Sequence, residues 1–327
     1  MDWKGKNVLI TGANGFVGSW LAKSLVEKKA NVIALIRDYI PNSHLRYIGV
    51  YPKLRAAVRG DIIDYVTMKR IFNEYEIDTC FHLAAQTIVG VANRSPLSTF
   101  ETNIKGTWNI LEAAVLSKTI ERVIIASTDK VYGEPIELPI TEEHPLLAMY
   151  PYDASKACVD ILSRTYFITY GLPIGTTRCC NIFGGGDLNF SRIIPDTIRS
   201  VIFNKPPIIR SDGTPVRDFI YISDVVAAYL VLAENLDKKG IKGEVFNFGS
   251  NSPIKILDLV NKIISISGKK LKPKIIGKGK QKGEISVQYL SSKKAEKLLK
   301  WRSKVSLEEG LRKTIEWYTK FFKSHRL

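Results

Sequence analysis

The chain has 327 residues, of which 45% are hydrophobic, 10% aromatic and 24% charged, an ordinary globular composition that excludes disordered, collagen-like and coiled-coil classes. Its length exceeds what one hydrophobic core usually supports, so a large domain with a smaller companion is expected. The 48 Lys and Arg against 32 Asp and Glu leave a net charge of +16, but the lysine-rich stretch from Lys262 to Lys282 lacks the interleaved aromatic residues that stack on bases, so a solvated face is expected and no nucleic-acid partner.

No apolar run approaches the roughly 20 residues that span a bilayer, and the start MDWKGKNVLITG enters a strand directly. A cytoplasmic protein with no membrane partner is expected. Cys80, Cys158, Cys179 and Cys180 contain no C-x-x-C pair. They read as reduced structural thiols, and no metal site is expected.

In chain order, NVLIT opens as a strand and is followed by a helix over 17–28, the strand NVIALI, a helix over 65–75 and the strand TCFHLA. A long helix over 98–116, the strand RVIIAST and a helix over 152–170 complete the series. Alternation of this kind predicts a doubly wound parallel α/β sheet with helices on both faces, a Rossmann fold, over 1–175. The order then loosens into a strand over 174–183, a turn at Gly184-Gly185-Gly186, a helix over 194–203 and a lysine-rich tail. Residues 176–327 read as a smaller α+β substrate-binding domain, partly intertwined with the first.

The first strand runs into Gly12-Ala13-Asn14-Gly15-Phe16-Val17-Gly18, a G-x-x-G-x-x-G turn that opens a helix. Glycines there allow a pyrophosphate to approach a helix N-terminus, where free N–H groups and the helix dipole favour anions. The expected cofactor is NAD, with NADP left open, because the second strand runs into Arg37 and then Asp38. Arg37 suits a 2′-phosphate, Asp38 suits a 2′-hydroxyl, and either suits a solvated loop. Asp61 and Ile62 follow a short strand and read as an adenine contact or as a plain turn.

A second cluster joins Ser127-Thr128-Asp129-Lys130 at a strand end to Tyr152 and Lys156 at the start of a helix. Four residues apart, Tyr152 and Lys156 share a helix face, and an ammonium beside a phenol favours the phenolate. Tyr152 is therefore expected to serve as a base near neutral pH.

With these motifs, and with His82-Leu83-Ala84-Ala85-Gln86, Thr102-Asn103-Ile104-Lys105-Gly106-Thr107, Arg178 with Asn181, and Arg217-Asp218-Phe219-Ile220-Tyr221, the chain resembles the extended short-chain dehydrogenase/reductase family. It resembles the nucleotide-sugar epimerase and dehydratase branch, and most of all its CDP-glucose 4,6-dehydratase-like members. The resemblance implies a nucleotide-diphosphate sugar as substrate. It places Leu83, Ala84 and Ala85 with Tyr152 and Lys156 on the cofactor, and Gln86, Thr128, Asn181, Arg192 and Arg217 on the substrate. It implies that Thr128 bonds the sugar 4-oxygen, that Tyr152 takes its proton and that hydride leaves C4. It also implies a homodimer built on the helices over 98–116 and 152–170.

Asp129 occupies the slot where 4,6-dehydratases carry the acid that protonates the departing C6 hydroxyl, whereas epimerases place small uncharged residues there. The residue that follows is Lys130 rather than the usual glutamate. Lys130 reads either as the C5 base or as an ion-pair partner of Asp129. A 4,6-dehydratase is the leading reading and a 4-epimerase or related sugar oxidoreductase the alternative. A second departure is Gln281-Lys282-Gly283-Glu284, where relatives carry an Arg-Pro-Gly-Asp stretch on the diphosphate. Residues 292–301 have the spacing of a packed terminal helix.

Overall fold

The computed structural model describes residues 1–41, 43–278 and 285–325. Six strands, β1 (Asn7–Thr11), β2 (Asn31–Ile36), β3 (Ala56–Arg59), β4 (Thr79–His82), β5 (Arg122–Ala126) and β6 (Ile174–Cys179), lie side by side in the order 3-2-1-4-5-6. A seventh, Val245–Phe248, joins beyond β6, and every pair is parallel. Strands β4 and β6 are buried along their whole length, as befits strands covered on both faces. Leu9 enters the core on one face of the sheet, and Val8 and Ile10 the core on the other. Order reverses between β1 and β4, and that switch point is where open α/β sheets present a crevice.

The helices expected over 17–28, 65–75, 152–170 and 194–203 form as Phe16–Glu27, Tyr65–Glu74, Pro151–Tyr170 and Ile193–Ile202. The long helix expected over 98–116 carries an insertion: Pro96–Phe100 passes through a π turn, Glu101–Lys105, into Gly106–Val115. Such a turn rotates the side chains that follow it and is frequent beside functional sites. Here it sinks Asn103 to 1% exposure.

The strand expected over 174–183 is two strands. Beyond Cys179 the chain leaves the sheet, and Asn181–Phe183 pairs in parallel with Phe219–Tyr221. From there a second lobe grows around Phe183, Ile198, Leu259, Ile263 and Tyr318. The chain then returns, because helix Ile222–Asn235 packs on Phe16–Glu27 and leads into the seventh strand. The terminal spacing over 292–301 forms a shorter helix, Lys293–Leu299. Trp301 follows it, 4% exposed, with its indole N–H donated to the Asp224 carbonyl at 3.1 Å.

One hydrogen bond and two ring contacts bind the lobes together. Trp20 donates to the Gly185 carbonyl at 2.7 Å, and His44 lies between Trp20 and Trp317, with ring centroids at 5.1 and 5.4 Å. The glycine turn at 184–186 therefore rests on both the first helix of the sheet domain and the last helix of the chain.

The first turn of the sheet domain is closely packed at one glycine and open at another. A Cβ on Gly18 would stand 2.3 Å from the Gly12 carbonyl oxygen, whereas one on Gly15 would meet only that oxygen, at 3.2 Å. Gly18→Ala is predicted to cost about 1–3 kcal/mol through overpacking. Gly15→Ala should stay within about 1 kcal/mol of the wild type, a difference that urea unfolding of the two variants would read.

Candidate active site

At the end of β1 the backbone turns through Gly12 at φ +71°, and a Cβ there would lie 2.8 Å from the Ala84 nitrogen. Thr11 explains the close approach. Its hydroxyl accepts the N–H groups of Leu83 and Ala84, each at 3.1 Å, and bonds His82 Nδ1 at 2.8 Å. His82 Nε2 meets the Thr107 hydroxyl at 3.0 Å. Burial pushes His82 down to about 3, so the ring is neutral and both nitrogens are engaged.

Helix Phe16–Glu27 starts at Gly15 without a side-chain cap, which leaves its first N–H groups for a ligand. Gly15 faces the cleft without a Cβ to fill it. This cradle suits a pyrophosphate, and its donor set fits a dinucleotide. Arg37 and Asp38 at the end of β2 pair with each other, Nε to Oδ2 at 2.8 Å. Asp61 accepts the Ile63 N–H at 3.1 Å, and Asn109 holds the carbonyls of Ile62 and Ile63 at 3.0 and 2.9 Å. Asp61 thus shapes its own turn while its neighbour Ile62 borders the cleft.

The second cluster gathers at the end of β5. Thr128 donates to the Asp129 carboxylate at 3.1 Å, and both residues are buried, at 9% and 4% exposure. Burial raises the Asp129 carboxyl, against the pull of Lys130, the Thr128 hydroxyl and Arg217 and with the push of Asp218. The balance favours the protonated acid relative to an exposed aspartate. Lys130 is half-buried, and its charge bears on two carboxyls, Asp129 and Asp153. Burial carries Asp153 up to about 6.

The Tyr152–Lys156 pair differs from expectation. Burial pushes the Tyr152 phenol up to about 12, with Arg192 and the Thr128 hydroxyl lowering it and Asp129 raising it. Lys156 is carried down to about 8 by burial, partly restored by Asp160, and its Nζ donates to the Ala126 carbonyl at 2.7 Å. The ammonium is held by the backbone of β5, so the helical spacing alone does not bring Tyr152 to neutral pH.

On the far side, Asn181 donates to the Asp218 carbonyl at 3.0 Å, and Arg192 pairs with the buried Asp187 at 3.1 Å. Arg217 donates to the carbonyls of Val216 and Ile285 at 2.9 and 2.5 Å. Gln86 is fixed by its backbone: its N–H reaches Asn103 Oδ1 at 2.7 Å, and its carbonyl accepts from Asn103 Nδ2 at 3.1 Å. Every residue singled out from the sequence for cofactor, chemistry or substrate borders one cleft of about 1110 Å³. The Gln281-Lys282-Gly283-Glu284 stretch lies outside the described residues. Among the described residues no three His, Cys, Asp or Glu side chains gather as a metal site.

Sequence reasoning overlooked Arg210, which borders the cleft and pairs with Asp196 at 3.1 Å. It also overlooked the work of Asn103, although that residue stands in the motif that begins at Thr102. A polar residue at a helix position that packs inward was the available signal.

The model of the GDP-mannose 4,6 dehydratase family matches residues 9–314. A trifunctional UDP-glucose 4,6-dehydratase/UDP-4-keto-6-deoxy-D-glucose 3,5-epimerase/UDP-4-keto-L-rhamnose-reductase of Arabidopsis thaliana is 35% identical across 97% of this chain, which spans about half of that relative, 48%. The dTDP-glucose 4,6-dehydratase DesIV of Streptomyces venezuelae, solved with NAD and TYD bound, is 29% identical at a TM-score of 0.85, with 97% of this chain and 98% of that one covered. A UDP-glucose 4-epimerase of Thermotoga maritima, solved with UDP-glucose, is also 29% identical, at a TM-score of 0.88 with 97% and 99% covered. Relatives named for UDP-, dTDP- and CDP-glucose all fall between 29% and 35% identity, so identity does not choose the nucleotide.

Asn103 makes three bonds at once, the third donated to the Ser155 hydroxyl at 2.8 Å. Asn103→Ala leaves the Gln86 N–H and carbonyl without their partner in a half-buried setting, and a fully buried group so stranded costs about 1–3 kcal/mol. A loss of about 2–4 kcal/mol in denaturant unfolding is predicted, and a loss below about 1 kcal/mol would show that the π turn is not held in this way.

Proposed function

Because the chain belongs to the GDP-mannose 4,6-dehydratase family, we propose that it is a nucleotide-sugar 4,6-dehydratase, converting a nucleotide-diphosphate hexose to its 4-keto-6-deoxy form. The observation that carries this reading is Asp129, buried beside Thr128 at the cleft wall and biased toward its protonated form. An elimination needs an acid for the leaving hydroxyl. A small apolar residue such as alanine at that position could not supply one.

NAD, held along the turn from Gly12 to Gly18, would accept hydride from C4 and return it to the sugar. Asn14, Gly15, Phe16 and Val17 would border its phosphates. Arg37 with Asp61 and Ile62 would border the adenosine half, and Leu83, Ala84 and Ala85 would lie along the middle. Lys156 would hold the nicotinamide ribose and keep Tyr152 in place. On the substrate, Thr128 would bond the 4-oxygen and Tyr152 would remove its proton. Asp129 would protonate the C6 hydroxyl as it leaves, and Lys130 is the candidate for the C5 proton. Gln86 and Asn181 would meet the sugar side and Arg192 and Arg217 the diphosphate, the task suited to a planar, permanently charged guanidinium.

In this reading residues 1–175 chiefly serve the cofactor and residues 176–327 the substrate. A 4-epimerase is the second reading, supported by Lys130 in place of an acidic base and by the likeness to a 4-epimerase fold. No helix among the described residues is long and apolar enough to cross a membrane. The four cysteines are free, which accords with a cytoplasmic protein. A homodimer through Pro96–Val115 and Pro151–Tyr170 accords with the exposed Leu97, Trp108, Ile161 and Ile168.

The test is incubation with UDP-, dTDP-, CDP- and GDP-hexoses, read by mass. Loss of one water is expected, and a new isomer of unchanged mass would establish the epimerase instead. Asp129→Asn should keep reduction of the bound cofactor and slow water loss by at least about a hundredfold; elimination at the wild-type rate would remove Asp129 from the chemistry. Sedimentation should find a dimer at micromolar concentration, and a monomer there would refute the helical interface.

A further inference from the structure

Asp129 is tied to the far wall of the cleft by one buried side chain. Gln288, on the short strand Val287–Gln288, is 1% exposed, and its Nε2 donates to the Asp129 carbonyl at 3.1 Å. The same residue is the register partner of Arg217, in parallel pairing with strand Val216–Arg217. Arg217 clasps that neighbouring segment through the Ile285 and Ser286 carbonyls, at 2.5 and 3.4 Å. Asp129 and Arg217 both border the cleft. The acid and the arginine are therefore adjacent and fixed to a common piece of backbone.

The charged and titratable groups around Asp129 can be named from each packed element. Lys130 lies on its own turn, and Arg217 and Asp218 come from the segment beside Gln288. Tyr152 and Asp153 come from helix Pro151–Tyr170, and Cys179 and Cys180 from the end of β6. Among the described residues Lys130 and Arg217 favour the carboxylate; burial and the Asp218 charge favour the acid.

We propose that a nucleoside diphosphate arriving at Arg217 drives proton uptake at Asp129, so that the nucleotide half of the substrate arms the acid that acts on the sugar half. The diphosphate cancels the cation that steadies the carboxylate and adds negative charge of its own, in surroundings where screening by water is weak. Gln288 keeps the Asp129 backbone from drawing away, so protonation relieves the repulsion. The proton comes from solvent and departs with the sugar hydroxyl as water. A neutral Asp129 also ceases to raise the Tyr152 phenol, so one proton readies acid and base together. What the armed acid then does rests on the dehydratase reading; the uptake itself does not.

The test is calorimetry with UDP, CDP, GDP and dTDP, carried forward with the tightest binder, on the cofactor-loaded protein in buffers of differing ionisation enthalpy from pH 5 to 8. Comparison with Asp129→Asn removes the probe's own ionisation. Wild type should take up more protons than the variant, and its affinity should be weaker than the variant's at pH 8, about tenfold for every step of one in pH by which binding moves the carboxyl titration, the gap narrowing as the pH falls. Equal uptake, or an affinity ratio flat across this range, would overturn the proposal. If Asp129→Asn does not fold, an infrared difference spectrum reads the carboxyl directly: a protonated carboxyl band gained on binding is expected, and its absence overturns the proposal. Gln288→Leu should bind the probe with a smaller excess uptake, and an undiminished excess would refute the tether. Uptake without water loss from any sugar would sink the dehydratase reading alone, and water loss without uptake would sink the coupling alone.

Discussion

One hydroxyl holds the sheet closed where its strand order reverses. Thr11 Oγ1 gathers His82 and the N–H groups of Leu83 and Ala84 onto the end of β1, and this draws the β4 loop against Gly12 so closely that no Cβ fits between them. From that point the contacts spread outward. His82 reaches Thr107, Thr107 donates to the Asn103 carbonyl at 2.6 Å, and Asn103 holds Gln86 and Ser155. Ser155 lies between Tyr152 and Lys156 on their helix. The Gly12 turn and the helix that carries Tyr152 and Lys156 are thus set against each other by one chain of largely buried hydrogen bonds, in which each polar group is costly to leave unpaired.

The chemistry end of the cleft is governed by burial more than by pairing. Burial is the largest influence on Asp129, Tyr152 and Lys156 alike, raising the first two and lowering the third. All three shifts favour neutral groups. In such buried surroundings water screens weakly, so the site responds strongly to charges brought into it. On the proposed function an anionic substrate and a cationic nicotinamide ring would be such charges, so that ionisation here would depend on what is bound.

Much of the sheet domain was legible because period and punctuation agree. β-Branched runs of four to six residues alternate with amphipathic stretches, and the glycine motif sits at the first strand-to-helix turn, where close packing at Gly12 and Gly18 and an open approach at Gly15 account for it. The candidate catalytic residues stand out in the sequence through motif order, and all of them border one cleft. What was missed depends on tertiary contact. The π turn at Glu101–Lys105 is invisible to a 3.6-residue period because Asn103 is drawn inward by partners distant in sequence. The break after Cys179 follows from Asn181–Phe183 finding Phe219–Tyr221, not from any local breaker. Tyr152 and Lys156 share a helix face as the spacing requires, yet the lysine's hydrogen bond goes to Ala126, a contact that spacing cannot reveal. Gln288 carries no local signal, since its importance comes from lying between Asp129 and Arg217.

On the proposed function this cleft would remove the proton at C5 of a sugar as well as oxidise C4, which separates elimination from epimerisation at the level of a single bond. Turnover of the accepted nucleotide sugar in heavy water tests it most directly. Elimination reprotonates C5 from solvent, so the product should carry one deuterium there, seen by proton NMR as loss of the C5 resonance. A product that retains its C5 proton in full would contradict the account, whatever else the protein does at C4.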